Sequence, residues 1–208
     1  MSKTIVTNRS VGKQALTGNK ESTRVELAAC AALFFAKQGY YGTSTQTIAE
    51  YCNIRKASLF HHYKTKEEIA LAAIQYVRNE CDKNIFKIAE DNTVSPKQRA
   101  LNFLHAAEQF FTQRIESLLP TLLGLELSDI DLFAKAIENY FQAWQVVLST
   151  ILTPLCEDTT KAQQLAQQTL IRIQGHLVTA RIQQNPQHIT NLFKELREPW
   201  LESAKVSA

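Results

Sequence analysis

Residues 23–77 read TRVELAACAALFFAKQGYYGTSTQTIAEYCNIRKASLFHHYKTKEEIALAAIQYV, and this stretch decides the fold. Val25, Ala28, Ala29, Ala32 and Ala36 recur at i, i+3, i+4 spacing, which predicts a first helix over about 22–38. Ser22 can cap its start, and Gly39 suits the left-handed position just past its end. Thr43 with Gln46 three residues on has capping-box spacing for a second, short helix carrying Ile48, Ala49 and Cys52. Asn53 tolerates positive φ and stops it. A third short helix follows from about Arg55 to Tyr63, with Leu59 and Phe60 as apolar anchors. Two short helices about a tight turn make a helix-turn-helix.

Moving outward, Thr65-Lys66-Glu67-Glu68 opens a long helix reaching toward Ala89. Ser95-Pro96-Lys97-Gln98 combines an N-cap, a proline at the first helical position and Gln at the third, and starts a helix to about Ser117. Pro120 and Gly124 interrupt a short Leu-rich segment. Ser128-Asp129 caps a long helix that ends at Thr153-Pro154. Asp158 caps a helix over about 159–184, and a last one spans about 187–203. The expectation is an all-α chain of about nine helices: an N-terminal three-helix bundle with a helix-turn-helix, then a helical C-terminal domain. The expected divisions are a basic arm over 1–20, a DNA-binding domain over 21–81 and a second domain over 82–208.

Six Gly and five Pro in 208 residues are few for a strand-rich sandwich or barrel. No apolar run approaches the roughly 20 residues that span a bilayer, and no apolar secretory segment is visible near Lys3 and Arg9. Cys30, Cys52, Cys81 and Cys156 are widely spaced without a CxxC, so they read as small buried hydrophobes in a reducing, cytoplasmic setting. The formal charge of +3 conceals a split. Residues 1–66 hold ten Lys/Arg against Glu21, Glu26 and Glu50, or +7. Residues 67–208 hold 13 basic and 17 acidic residues, or −4. A basic head on an acidic body is the footprint of a phosphate-binding module.

The ordered features of this stretch are Leu33-Phe34, Gly39-Tyr40, Thr43-Ser44, Ile48-Ala49, Ser58-Leu59-Phe60-His61-His62-Tyr63 and Lys66-Glu67-Glu68-Ile69. The stretch thereby resembles the DNA-binding domain of TetR-family transcriptional regulators. In a helix-turn-helix the second helix meets base edges in the major groove. By residue type the base-reading candidates are Arg55, Lys56, Ala57, Ser58 and His61, with Thr45 and Gln46 at the groove wall. Thr43, His62, Tyr63, Lys64 and Lys66 are the candidates for phosphate, and the resemblance implies a backbone clamp at Lys66. Consecutive His61 and His62 lie about 100° apart on a helix, so one at most faces DNA squarely. They lack the i, i+4 partner of a metal pair. The sequence departs from the family's turn: Asn53 stands where Gly is usual, Arg55 where a capping Ser is common, and Phe60 where a Tyr is common.

Residues 82–208 carry no nucleophile–base pair, Gly-rich phosphate loop or paired acids, so no catalytic residue, metal or cofactor is expected. The resemblance implies that this half binds an effector and dimerises. Candidate pocket residues are Phe103, Ala107, Phe110, Phe111, Leu122, Phe141, Trp144 and Leu148, with His105 and Gln145 as polar groups. Their aromatic content points to an apolar or aromatic effector. Candidate interface residues are Ala166, Ile173, Gly175 and Leu177, then Leu192, Phe193, Leu196 and Trp200, which suit an isologous four-helix contact. The expected function is a homodimeric, ligand-released repressor on a palindromic double-stranded DNA operator. The alternative is a helical protein-interaction module that no longer binds DNA, against which the +7 head argues.

Overall fold

The structure, a computed structural model, describes residues 20–127 and 131–203. Among the described residues there are nine α-helices and no strand: α1 Lys20–Gly42, α2 Thr45–Tyr51, α3 Lys56–His62, α4 Lys66–Asn84, α5 Pro96–Gln113, α6 Leu119–Leu127, α7 Asp131–Leu152, α8 Thr159–Ile182 and α9 Gln187–Ser203. The all-α expectation is met. The basic arm and the Ser128-Asp129 cap lie outside the described residues.

The helices form two compact units. One takes the chain up to Arg78 together with 113–137; the other takes 79–112 and the chain from Glu138 onward. In the first unit α1 buries Leu27, Ala28, Ala31, Ala32, Phe35 and Ala36. Val25, assigned to the inner stripe by spacing, is 47% exposed, because the packed face is turned toward Leu27 and Ala31. α1 packs on α6 and on the 3-10 turn Ile115–Leu118. Pro120 does not break α6: it sits in the first turn, where its missing N–H would have no helical partner. Gly124 is likewise interior to the helix.

α1 does not stop at Gln38. It kinks at Gly39, whose φ of 75° and ψ of 172° are open essentially to glycine alone, and continues through Gly42. The Glu126 carboxylate of α6 accepts the Tyr40 N–H at 2.6 Å, at the donor the kink leaves without a helical partner. Asn53 takes φ 53°, as its side chain permits, and the Ile54 N–H closes the turn on Ala49 O at 3.0 Å. Ile48, Ala49 and Leu59 are fully buried and hold α2 against α3.

The second unit is built on aromatic packing. Trp144 meets Phe86, Phe103 and Phe111 at ring-centroid distances of 4.8, 6.2 and 5.4 Å; Phe103 stacks on Trp200 and Phe111 on Phe193. Ion pairs Arg197–Glu108 (3.2 Å) and Arg172–Glu195 (2.6 Å) tie α9 to α5 and α8. The start of α8 is capped by Asp158, which accepts the Lys161 N–H at 2.7 Å. α4 ends at Asn84, short of Ala89, and a 3-10 turn covers Phe86–Glu90.

Candidate nucleic-acid interface

α3 separates its residues cleanly. Leu59 is buried at 0%, whereas Arg55, Lys56, Ala57, Ser58 and His61 are all exposed along the helix start and its outer face. These are the five residues at or on this helix expected to read bases, and all five are open to solvent. Arg55 is the N-cap but makes no side-chain cap bond, so its guanidinium is not committed to the helix end. Phe60, expected in the core, is 36% exposed; Lys56 Nζ lies 5.9 Å from its ring centroid, a cation–π distance. On α2, Gln46 is exposed with its amide donating to Glu50 at 2.7 Å, and Thr45 is half-buried.

Two of the phosphate candidates are corrected. Thr43 is 1% exposed and its hydroxyl donates to Gly39 O at 2.8 Å, so it stabilises the kink and presents nothing to a phosphate. The α2 cap is Ser44, one residue later, whose Oγ accepts the Thr47 N–H at 3.0 Å. Tyr63 is 3% exposed and its hydroxyl donates to Arg24 O at 2.8 Å. Burial pushes the Tyr63 phenol upward, so it stays a neutral donor. Of the others, Lys64 is exposed and His62 and Lys66 are half-buried.

Arg24 was counted in the sequence only as a charge, yet it fastens α3 in place. Its Nη1 donates to His62 O at 2.6 Å, at the carbonyl end of α3, and its guanidinium lies 4.5 Å over the Tyr63 ring. A cation there complements the negative end of the helix. A second cluster sits at the start of α4. Thr65 caps α4 by accepting the Glu68 N–H at 3.2 Å, and the Glu68 carboxylate accepts the Lys64 N–H at 2.7 Å. Lys66 Nζ lies 4.3 Å from the Tyr40 ring centroid, and burial lowers its ammonium from the ordinary value, opposed by Glu67 and Glu126. The Tyr40 hydroxyl donates to Glu67 at 3.0 Å. The left-handed backbone at Gly39 is legible in the sequence, but the Glu126 contact is not, since the carboxylate lies 86 residues along the chain from Tyr40.

The expected dimer residues are corrected in position. Ala166, Ile173, Leu177, Leu192, Phe193, Leu196 and Trp200 are at most 2% exposed within the single chain and form its own core. Gly175 is exposed, with nothing within 4 Å of where a Cβ would stand. The outer face of α8 also carries Ile171, 63% exposed, and Ile182, 76% exposed.

Of the expected pocket residues, Gln145 lines a cleft; the others are placed differently. Phe103, Ala107, Phe110, Phe111, Trp144 and Leu148 are buried, and Phe141 and Gln145 are half-buried. Leu122 belongs to the other unit. His105 is exposed beside Gln109, which removes it from any interior pocket. The indole N–H groups of Trp144 and Trp200, both fully buried, have no hydrogen-bond partner among the described residues. A cleft of about 760 Å³ lies instead between α7 and α8, lined by uncharged polar groups such as Gln145, Ser149, Thr150, Gln163 and Gln167. Among the described residues no three His, Cys, Asp or Glu are grouped to hold a metal ion, and no helix is long and apolar enough to cross a membrane.

A short helix pair about a positive-φ turn, with a basic outer face on the second helix, defines a helix-turn-helix DNA-binding protein. Residues 27–73 match the model of the bacterial regulatory proteins of the tetR family. The chain is 36% identical over 58 residues to the biofilm operon negative transcriptional regulator IcaR of Staphylococcus epidermidis, 28% of this chain and 31% of that one. It therefore spans less than a third of the length of that relative. The fold is similar to a TetR transcriptional regulator from Legionella pneumophila, with a TM-score of 0.75 at 19% identity, covering 88% of this chain and 99% of that one. It is similar too to AibR, solved with isovaleryl coenzyme A and operator DNA, with a TM-score of 0.57 at 20% identity over 73% of this chain and 86% of that one. Residues 27–73 thus resemble the DNA-binding domain of tetR-family regulatory proteins, and the chain shares the fold of the solved TetR-type regulators.

Proposed function

We propose that the chain is a homodimeric repressor that reads a palindromic DNA operator with α3 and releases it on binding a small molecule. The observation that carries this reading is the row Arg55, Lys56, Ala57, Ser58 and His61, all exposed on a helix fastened from behind by Leu59 and Arg24. Arg55 and Lys56 can donate to guanine O6 and N7, and Ala57 can touch a thymine methyl. Lys64 and Lys66 supply phosphate contacts on the same flank. Two such helices on a twofold dimer meet half-sites about one helical turn apart.

Dimerisation is assigned to the outer face of α8, where Ile171, Gly175 and Ile182 leave apolar surface open and allow close backbone approach. The effector reading is supported by the cleft of about 760 Å³ between α7 and α8, where Gln145, Gln163 and Gln167 can hydrogen-bond a ligand. Repression, rather than activation, is supported by the relative named as a negative regulator. The proposed setting is the cytoplasm.

The experiment is selection of bound sequences from random double-stranded DNA by the full chain. Recovery of a symmetric motif is the expected result. Recovery of unrelated sequences only would refute operator reading and favour a module that has lost its DNA.

A further inference from the structure

The walls of the cleft between α7 and α8 have a uniform chemistry. Of the nine residues that line it, four are glutamines, four are Ser or Thr, and the ninth is Val146. None of the nine carries a charge and none carries a ring. The charged residues next to Thr160 in sequence are engaged elsewhere: Lys161 pairs with Glu157 at 2.5 Å, and Asp158 caps α8. The Gln145 amide donates from α7 to Gln163 O on α8 at 3.4 Å, which leaves its Oε1 as an acceptor. The Thr150 hydroxyl donates to Val146 O at 2.9 Å and the Thr153 hydroxyl to Ser149 O at 2.7 Å. Each of these hydrogens is committed to its own helix, and each oxygen keeps lone pairs for a ligand. The exposed amides of Gln163 and Gln167 both donate and accept.

We propose that this cleft binds an uncharged, hydroxyl-rich small molecule, of the class of neutral sugars and polyols. The inference rests on the effector reading of the cleft given above and narrows it to one ligand chemistry. The walls set donors beside acceptors, and a ligand hydroxyl is a group that serves both. A carboxylate or phosphate only accepts, so it would face the Thr150 and Thr153 oxygens with no cation in the walls to offset them. Taking such a charge out of water without a partner is costly. An apolar or aromatic ligand would meet one apolar side chain, Val146, itself 58% exposed, and would gain little from burial.

Size and affinity follow from the same walls. The volume of about 760 Å³ lies within the range of roughly 300–1,000 Å³ usual for small-molecule sites. Both helices contribute, Gln145 and Thr150 from α7 and Gln163 and Gln167 from α8, so a bound molecule bridges the two. Each ligand hydrogen bond replaces one to water, so the net gain per bond is modest and a few of them give a Kd of about 1 mM or tighter.

The test is calorimetric titration of the full chain with maltose, trehalose, mannitol and myo-inositol, set against glucose 6-phosphate, coenzyme A and indole. Calorimetry is chosen because sugars raise protein melts generally, by exclusion from the surface. At least one neutral probe is expected to bind with a Kd of about 1 mM or tighter, and to slow amide exchange over 145–153 and 160–167. Gln163→Ala with Gln167→Ala should weaken that binding at least about tenfold, from two lost hydrogen bonds. The melt in buffer should not change, since both side chains are exposed. No binding by any of the four neutral probes would overturn the proposal. So would binding undiminished in the double variant, or protection of the cleft by a charged or aromatic probe instead. A double variant that dissociates, with no neutral probe bound by the parent, would assign the cleft to a second copy of the chain. A neutral probe that binds here yet leaves DNA affinity unchanged would refute the effector reading and leave the ligand site standing. Release of DNA by indole, with the cleft unprotected, would refute the site and leave a ligand-released regulator.

Discussion

Replacing Gly39 by alanine perturbs the kink of α1 through two separable effects. The backbone there, φ 75° and ψ 172°, lies in a region that costs an L-residue about 1–3 kcal/mol. The added Cβ would overlap a Glu126 carboxylate oxygen and stand 3.1 Å from its carbon. Glu126 must therefore leave, and the Tyr40 N–H loses its charged acceptor at 2.6 Å. Glu126 is exposed and solvent competes for it, so the low end of the charged-bond range applies, about 1.5 kcal/mol. Gly39→Ala is expected to destabilise the chain by about 2.5–4.5 kcal/mol in urea unfolding. Glu126→Ala alone should cost about 1.5 kcal/mol. In the double variant the carboxylate is already gone, so Gly39→Ala should add only the backbone part. The cycle should thus show a coupling of about 1.5 kcal/mol. Strict additivity would refute the Glu126 contact, and a Gly39→Ala cost below about 1 kcal/mol would refute the strained kink.

Three further outcomes follow from the packing around this head. Tyr63→Phe removes the bond to Arg24 O and should lower stability by about 1 kcal/mol while leaving the salt dependence of DNA binding unchanged; a shallower salt slope would restore Tyr63 as a phosphate contact. Burial, with the bond to Glu67, raises the Tyr40 phenol above its ordinary value. The folded chain then holds a proton that the unfolded chain releases near about pH 10. Stability should be intact below that pH and fall as pH rises beyond it, and Tyr40→Phe should flatten the fall; an unchanged alkaline profile would contradict the shift. Ile171→Glu with Ile182→Glu should yield a folded monomer by light scattering, with association weakened by at least about tenfold from two lost apolar contacts; a dimer of unaltered strength would move the interface elsewhere.

Much of the helix-turn-helix could be read from local chemistry. Asn53, Thr65, Ser95 and Asp158 each act at a helix boundary through their own side chain or backbone, and the residues needed to see this are within three or four positions. The failures have a common form. Thr43-x-x-Gln46 and Ser44-x-x-Thr47 both have cap spacing, and the choice between them is made by Gly39, whose carbonyl takes the Thr43 hydroxyl. On α8 both faces are apolar; Ile173 and Leu177 turn inward and Ile171 and Ile182 outward, which periodicity alone does not decide. Phe103, Phe111 and Trp144 have the composition of a pocket, but their rings fill the space between them. The Glu126–Tyr40 contact depends on tertiary packing and carries no local signal.

The most direct test of the account is the affinity of the full chain for its selected DNA and for a scrambled duplex, with and without Arg55→Ala and Lys56→Ala. Two good base contacts carry about 2–6 kcal/mol of discrimination, at least about thirtyfold. The double variant should keep its thermal melt and its weak binding to scrambled DNA, and lose at least that much preference for the selected site. Undiminished preference in the double variant would contradict the assignment of α3 as the reading helix.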